Sequence, residues 1–117
     1  IGMLVADSLD LPFIYVRSAA KGHGLGNQIE GSYKKGARVV VIEDLISTGG
    51  SSLSAVNALR DAECEVLGML AIFTYGFSKS IDAFRDAACK LDTLSDYNSL
   101  AELALEKGFI KADFKHF

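Results

Sequence analysis

The chain has 117 residues, half of them apolar, 23% charged, with a formal net charge of −3. That length suits one compact domain and leaves no room for several. The acidic balance argues against a protein that coats nucleic acid or acidic membranes, so an anionic ligand has to be held by local chemistry.

The longest apolar runs, residues 39–42 and 66–73, fall well short of the roughly 20 residues that span a bilayer, and no charged-then-apolar targeting segment opens the chain. The sequence reads as soluble and cytoplasmic. Residues 1–9 have helix-forming composition and stop before Pro12, which cannot continue a helix and biases Leu11 toward extended structure. Residues 13–16, aromatic and β-branched, fit a short buried strand. Residues 18–31 carry four glycines and no apolar periodicity, the mark of a loop.

Lys34, Lys35 and Gly36 form a turn into residues 38–42, whose unbroken β-branched run predicts a parallel strand buried on both faces. A helix follows from about Ser52, with Leu53, Val56 and Leu59 on one face. Residues 66–74 read as a strand, 79–89 as an amphipathic helix through Ile81, Phe84 and Ala88, and 91–94 as a short last strand. Residues 98–107 are helical, with Gly108 where a left-handed cap is wanted. Cys64 and Cys89 lie in apolar surroundings without CxxC spacing, so they are expected to be buried reduced thiols. His116, near the terminus, is expected to be solvated.

This alternation predicts an α/β fold with a doubly wound, mostly parallel sheet flanked by helices, and such sheets bind ligands beyond the carboxyl ends of their strands. The residues following Val16, Ile42 and Phe73 are therefore the ones to inspect. After the second of these comes Glu43, Asp44, Leu45, Ile46, Ser47, Thr48, Gly49, Gly50, Ser51 and then the helix. A glycine-rich turn opening a helix aims unpaired N–H groups at one spot where the helix dipole also favours negative charge. Gly49 and Gly50 allow close approach, and Ser47, Thr48 and Ser51 add hydroxyl donors. It is a phosphate cradle, but neither a GxxxxGK(S/T) loop nor a GxGxxG fingerprint. The preceding acids are poor neighbours for phosphate and good acceptors for two adjacent sugar hydroxyls, so a ribose 5-phosphate uses both features. A merely structural turn would explain the glycines and serines but not two adjacent acids.

The stretch VVVIEDLISTGGSS, residues 39–52, resembles the signature of the phosphoribosyltransferases, in which the loop grips the 5-phosphate and the acids hold the ribose hydroxyls. RSAAKGHGLGNQIEG, residues 17–31, resembles the catalytic loop of the orotate phosphoribosyltransferases in particular. With AIFTY at 71–75 and LDTLSDY at 91–97, the resemblance covers nearly the whole chain.

The resemblance implies transfer of a phosphoribosyl group from phosphoribosyl diphosphate to orotate, in pyrimidine nucleotide synthesis, with Mg2+ bound mainly through substrate oxygens and no protein ligand cluster for the metal. It implies a homodimer with shared active sites. Arg17, Ser18, Lys21 and His23 would meet the diphosphate and its approach, Lys21, His23 and Asp44 would serve catalysis, and Ser47 would contact orotate. Residues 43–51 (Glu43, Asp44, Leu45, Ile46, Ser47, Thr48, Gly49, Gly50 and Ser51) would bind the donor. Two departures stand out: Ser18 falls where many members have lysine, and residues 73–79 lack an arginine that some members place near the base. Charged glycine-rich loops are commonly plain surface; it is the adjoining cradle that gives this one a leaving group to stabilise.

The chain opens at Ile1 inside an apolar stretch, without an initiator methionine. It is expected to be the carboxyl-terminal part of a longer chain, all of residues 1–117 in one domain, the amino-terminal part of the fold absent and turnover weak on its own. The alternatives are a phosphoribosyltransferase acting on a purine or on uracil, or a non-catalytic regulator that senses the donor.

Overall fold

The computed structural model describes residues 1–17 and 28–111. Helix α1 (Gly2–Ser8) leads through Pro12 to a two-stranded antiparallel ribbon of β1 (Tyr15–Val16) and β2 (Ile29–Glu30). The strand expected at 13–16 thus forms in part, and pairs in this ribbon instead of joining the main sheet. No pattern in the sequence announces β2, because two residues are too few for an alternation to register.

The main sheet is parallel, in the order β3 (Arg38–Ile46), β4 (Glu65–Thr74), β5 (Leu91–Asp96). Helices α2 (Gly50–Asp61), α3 (Ser78–Asp86) and α4 (Tyr97–Glu106) follow these strands in turn. This is the α/β alternation that the sequence predicts. The core lies between the sheet and helices α2 and α3, where Ile46, Leu53, Val56, Met69, Ala71 and Phe84 pack together with Cys89. Burial of each large apolar side chain contributes about 1.5–3 kcal/mol. Both cysteines are free and buried, as expected.

Three expectations need correction. Strand β3 does not end at Ile42; it continues to Ile46, with Leu45 paired to Phe73 and Ile46 to Thr74, so Glu43 and Asp44 are strand residues. Nor is β3 buried on both faces. Val41 packs on the core, whereas Val40 is exposed, as are Leu70 and Leu94 on the neighbouring strands. Helix α1 approaches the second face: a Cβ on Gly2 would lie 3.6 Å from Ile42 Cβ. Finally, α3 stops at Asp86, short of Cys89, because Arg60 draws off the carbonyls of Ala87 and Ala88 at 2.6 and 3.1 Å and Ala88 turns left-handed with φ 51°.

The last helix closes as expected. Gly108 has φ 76°, its N–H donates to Leu105 O at 3.1 Å, and Phe109 N–H donates to Ala104 O at 2.8 Å, the paired bonds of a glycine-terminated helix.

Candidate active site

Strand β3 carries the acids to the sheet's carboxyl edge. Paired residues of a parallel ladder face the same way, and Glu43 pairs with Ala71 on the core side, beneath the start of α2. Its carboxylate is committed there: Oε2 accepts from Ser52 Oγ at 2.9 Å, and Oε1 accepts from the Asp44 N–H at 3.1 Å. Asp44 is exposed. The two acids therefore differ, one anchored to the first turn of the helix and the other turned to solvent.

The turn is shaped by Gly49, the N-cap of α2, with φ 91°. A Cβ there would press within 3.1 Å of Phe84 Cε2, so both the dihedral and the packing against α3 demand glycine. Gly50 differs: nothing nearer than Thr48 Oγ1 at 4.0 Å would meet its Cβ, so the protein itself does not require glycine there. No side chain caps α2, and among the described residues no acceptor meets the N–H groups of Gly49, Gly50 and Ser51. Free amides at a helix N-terminus make an anion site. Ser47, Thr48 and Ser51 are exposed around them, while Ile46 is fully buried and acts as a core anchor.

Of the predicted site residues, Glu43, Asp44, Leu45, Ile46, Ser47, Thr48, Gly49, Gly50 and Ser51 form one continuous strand-to-helix edge. Arg17 follows the end of β1, where it forms an ion pair with Glu30 and exchanges bonds with Gln28 across the ribbon. Ser18, Lys21 and His23 lie outside the described residues. Sequence reasoning missed Ser52 as the residue that holds Glu43. The signal was present, since a buried hydroxyl in the first turn of a helix normally has an acceptor nearby.

The rim is completed by the neighbouring strands. Ile46, Thr74 and Asp96 pair in register across the sheet, which brings Ser47, Tyr75 and Tyr97 to adjoining positions. Tyr75 N–H donates to Ile46 O at 3.1 Å. Asp96 also caps α4, its Oδ1 accepting from Ser99 N–H at 2.8 Å.

Fold and edge together define a parallel α/β protein with an uncapped, glycine-turned helix following a strand that carries a pair of adjacent acids near its end. Residues 1–103 match the model of the phosphoribosyl transferase domain, and the chain belongs to that family. It is 56% identical over 112 residues to an orotate phosphoribosyltransferase of Phocaeicola vulgatus, a match covering 96% of this chain and 53% of the relative. The structure of Leishmania donovani UMP synthase superposes with a TM-score of 0.79 at 27% identity, covering 97% of this chain and 24% of that one. Mycobacterium tuberculosis orotate phosphoribosyltransferase in complex with phosphoribosyl diphosphate superposes at 0.64 with 29% identity, over 77% of this chain and 50% of that one. The chain spans about half the length of the curated relatives it matches.

Proposed function

We propose that the protein is an orotate phosphoribosyltransferase, moving the phosphoribosyl group from 5-phosphoribosyl 1-diphosphate to orotate with release of pyrophosphate. The observation that carries this reading is the uncapped turn at Gly49 and Gly50 at the end of the strand that carries Glu43 and Asp44, with residues 45–48 between them. The similarity to enzymes of that name supports it.

In this reading the amides of Gly49, Gly50 and Ser51 hold the 5-phosphate, with the hydroxyls of Ser47, Thr48 and Ser51 alongside. Asp44 accepts from the ribose hydroxyls, and Glu43, fixed by Ser52, offers its remaining lone pairs beside it. Loss of pyrophosphate leaves positive charge on the sugar, which these carboxylates stabilise, while the departing anion is met by Lys21, His23 and Arg17. For Arg17 to do so, its ion pair with Glu30 has to open or be shared. His23 serves as a hydrogen-bond donor to pyrophosphate and Ser47 contacts the base.

When bound, magnesium supplies charge neutralisation on the diphosphate. The ion would be held mainly by substrate oxygens and water, as magnesium prefers. No described helix is long and apolar enough to cross a membrane. A cytoplasmic homodimer with shared sites completes the proposal.

The test is calorimetric titration of phosphoribosyl diphosphate with magnesium, then the same with orotate present. Saturable donor binding and orotate-dependent pyrophosphate release are expected. Donor binding without release for any base would leave a sensor, and release with adenine or uracil but not orotate would reassign the acceptor.

A further inference from the structure

Glu43 and Asp44 are neighbours in sequence, but they are set differently into the fold. Asp44 is exposed. Glu43 stands on the core side of β3, in a row with Ala71 and Thr93 across the sheet. Ala71 is small and leaves a long, flexible side chain beside it room to turn. What holds the Glu43 carboxylate comes from elsewhere: Ser52 Oγ donates to Oε2 at 2.9 Å, and the Asp44 N–H donates to Oε1 at 3.1 Å.

A serine in the first turn of a helix commonly bonds to nearby backbone. Ser52 instead reaches across from α2 to the strand, and at 3% exposure its hydroxyl is shielded from competing water. Hydrogen bonds to a carboxylate are of the stronger kind. Each carboxylate oxygen can accept a second bond, so Glu43, held at both oxygens and half-buried, keeps acceptor capacity for a ligand. Ordering a flexible side chain at the moment of binding lowers affinity, and an acceptor already ordered by the fold avoids that loss.

We infer that Ser52 is a positioning residue for pentose recognition: its bond to Glu43 fixes the carboxylate as a ready acceptor for a sugar hydroxyl, although Ser52 does not itself touch the sugar. The inference rests on the phosphoribosyltransferase reading. It extends the recognition of the sugar one residue beyond the edge formed by residues 43–51, to a buried side chain of α2. It also separates two functions of that helix, since the free amides of Gly49, Gly50 and Ser51 meet the phosphate while the hydroxyl of Ser52 acts only through Glu43.

The test compares two ligands that need no turnover: inorganic phosphate, which meets the amides alone, and ribose 5-phosphate, which adds the hydroxyls. By calorimetry at a temperature where every variant is folded, Ser52→Ala should bind ribose 5-phosphate about threefold to tenfold more weakly, the scale of immobilising one flexible side chain. Its affinity for inorganic phosphate should stay within about twofold. Ser52→Thr, which keeps the hydroxyl, should recover most of the ribose 5-phosphate affinity. In a Glu43→Ala background, adding Ser52→Ala should change ribose 5-phosphate affinity no further, because the residue it acts through is gone. A structural role at the start of α2 would weaken both ligands together, since phosphate sits on the same turn. Equal losses for the two ligands, no loss for ribose 5-phosphate, a folded Ser52→Thr as weak as Ser52→Ala, or an undiminished effect without Glu43 would each overturn the inference alone. Absence of ribose 5-phosphate binding to the unsubstituted protein would overturn the proposed function and this inference with it.

Discussion

Ser52 Oγ donates a 2.9 Å hydrogen bond to Glu43 Oε2, so the first turn of α2 holds the side chain of the strand acid that precedes it by nine positions. Ser52 is buried to 3% exposure, and a hydrogen bond to a carboxylate is of the stronger kind. Ser52→Ala should therefore cost about 1–2 kcal/mol in urea unfolding, reduced from the fully buried value because Glu43 is only half-buried. Glu43→Gln keeps an acceptor for Ser52 and should cost less than half as much. If the two variants were equally destabilised, the bond would not be what orders this edge.

Asp44 offers the opposite test. Its side chain is exposed on the strand edge, so Asp44→Asn should change unfolding stability by no more than about 0.5 kcal/mol. Donor affinity should nevertheless fall about tenfold, the worth of roughly one charged hydrogen bond. Calorimetry with phosphoribosyl diphosphate and magnesium reads the second quantity, and unchanged affinity would remove Asp44 from the ribose site.

These two acids show how far sequence carries. Their identity and adjacency were legible, and so was the glycine turn behind them, because chemistry of that kind is written in residue type. Their secondary structure was not: Glu43 and Asp44 interrupt an apolar run and so look like the beginning of a loop, but the ladder partners that keep β3 going to Ile46, Phe73 and Thr74, are remote in sequence. The half-open sheet was hidden for the same reason. A β-branched run signals extended backbone, yet whether Val40 is covered depends on elements that its own neighbours do not reveal. Local punctuation fared better, as Pro12 and Gly108 show, since a fixed φ or a left-handed cap acts within a few residues.

The two glycines of the turn should separate structure from binding. Gly49→Ala forces a Cβ into a φ of 91° and within 3.1 Å of Phe84, and should destabilise the fold by roughly 1–3 kcal/mol. Gly50→Ala meets open space inside a helix and should be neutral or stabilising by up to about 1 kcal/mol. A phosphate seated on the Gly50 amide would, however, encounter the new methyl group. Reduced donor affinity at undiminished melting temperature is thus the expected signature of Gly50→Ala, and unaltered affinity would move the phosphate elsewhere along the turn.

Beyond the site, Ala88 holds a left-handed conformation, φ 51°, at the end of α3, where the guanidinium of Arg60 takes its carbonyl at 3.1 Å and that of Ala87 at 2.6 Å. An alanine in that region is strained by roughly 1–2 kcal/mol relative to glycine. Ala88→Gly should raise stability by about 1 kcal/mol, somewhat less than the strain because glycine also loosens the unfolded chain. Arg60→Lys keeps the charge but not the fork that reaches both carbonyls, and should lower stability. Urea midpoints moving in the same direction for both variants would contradict this account of how α3 ends.

The thiol next to that cap gives stability a pH dependence whose sign is fixed. Burial pushes the Cys89 thiol up from its ordinary value, and the Arg60 guanidinium pulls it only partly back. Because the folded-state pKa is the higher one, raising the pH ionises the thiol of the unfolded chain first, and proton release then favours unfolding. The contribution is intact below the ordinary thiol range and is lost as pH rises through it toward the folded value. Urea midpoints taken from neutral pH to above that range should decline for the unsubstituted protein, and the decline should be shallower for Cys89→Ala, whatever that variant loses in packing at neutral pH. Thiol labelling offers a second reading: with the thiolate suppressed and the side chain 7% exposed, Cys89 should react with iodoacetamide only at the rate at which the core opens. Prompt labelling of Cys89 in the folded protein, or parallel pH profiles for the two proteins, would show that this sulfur is not sealed in the core.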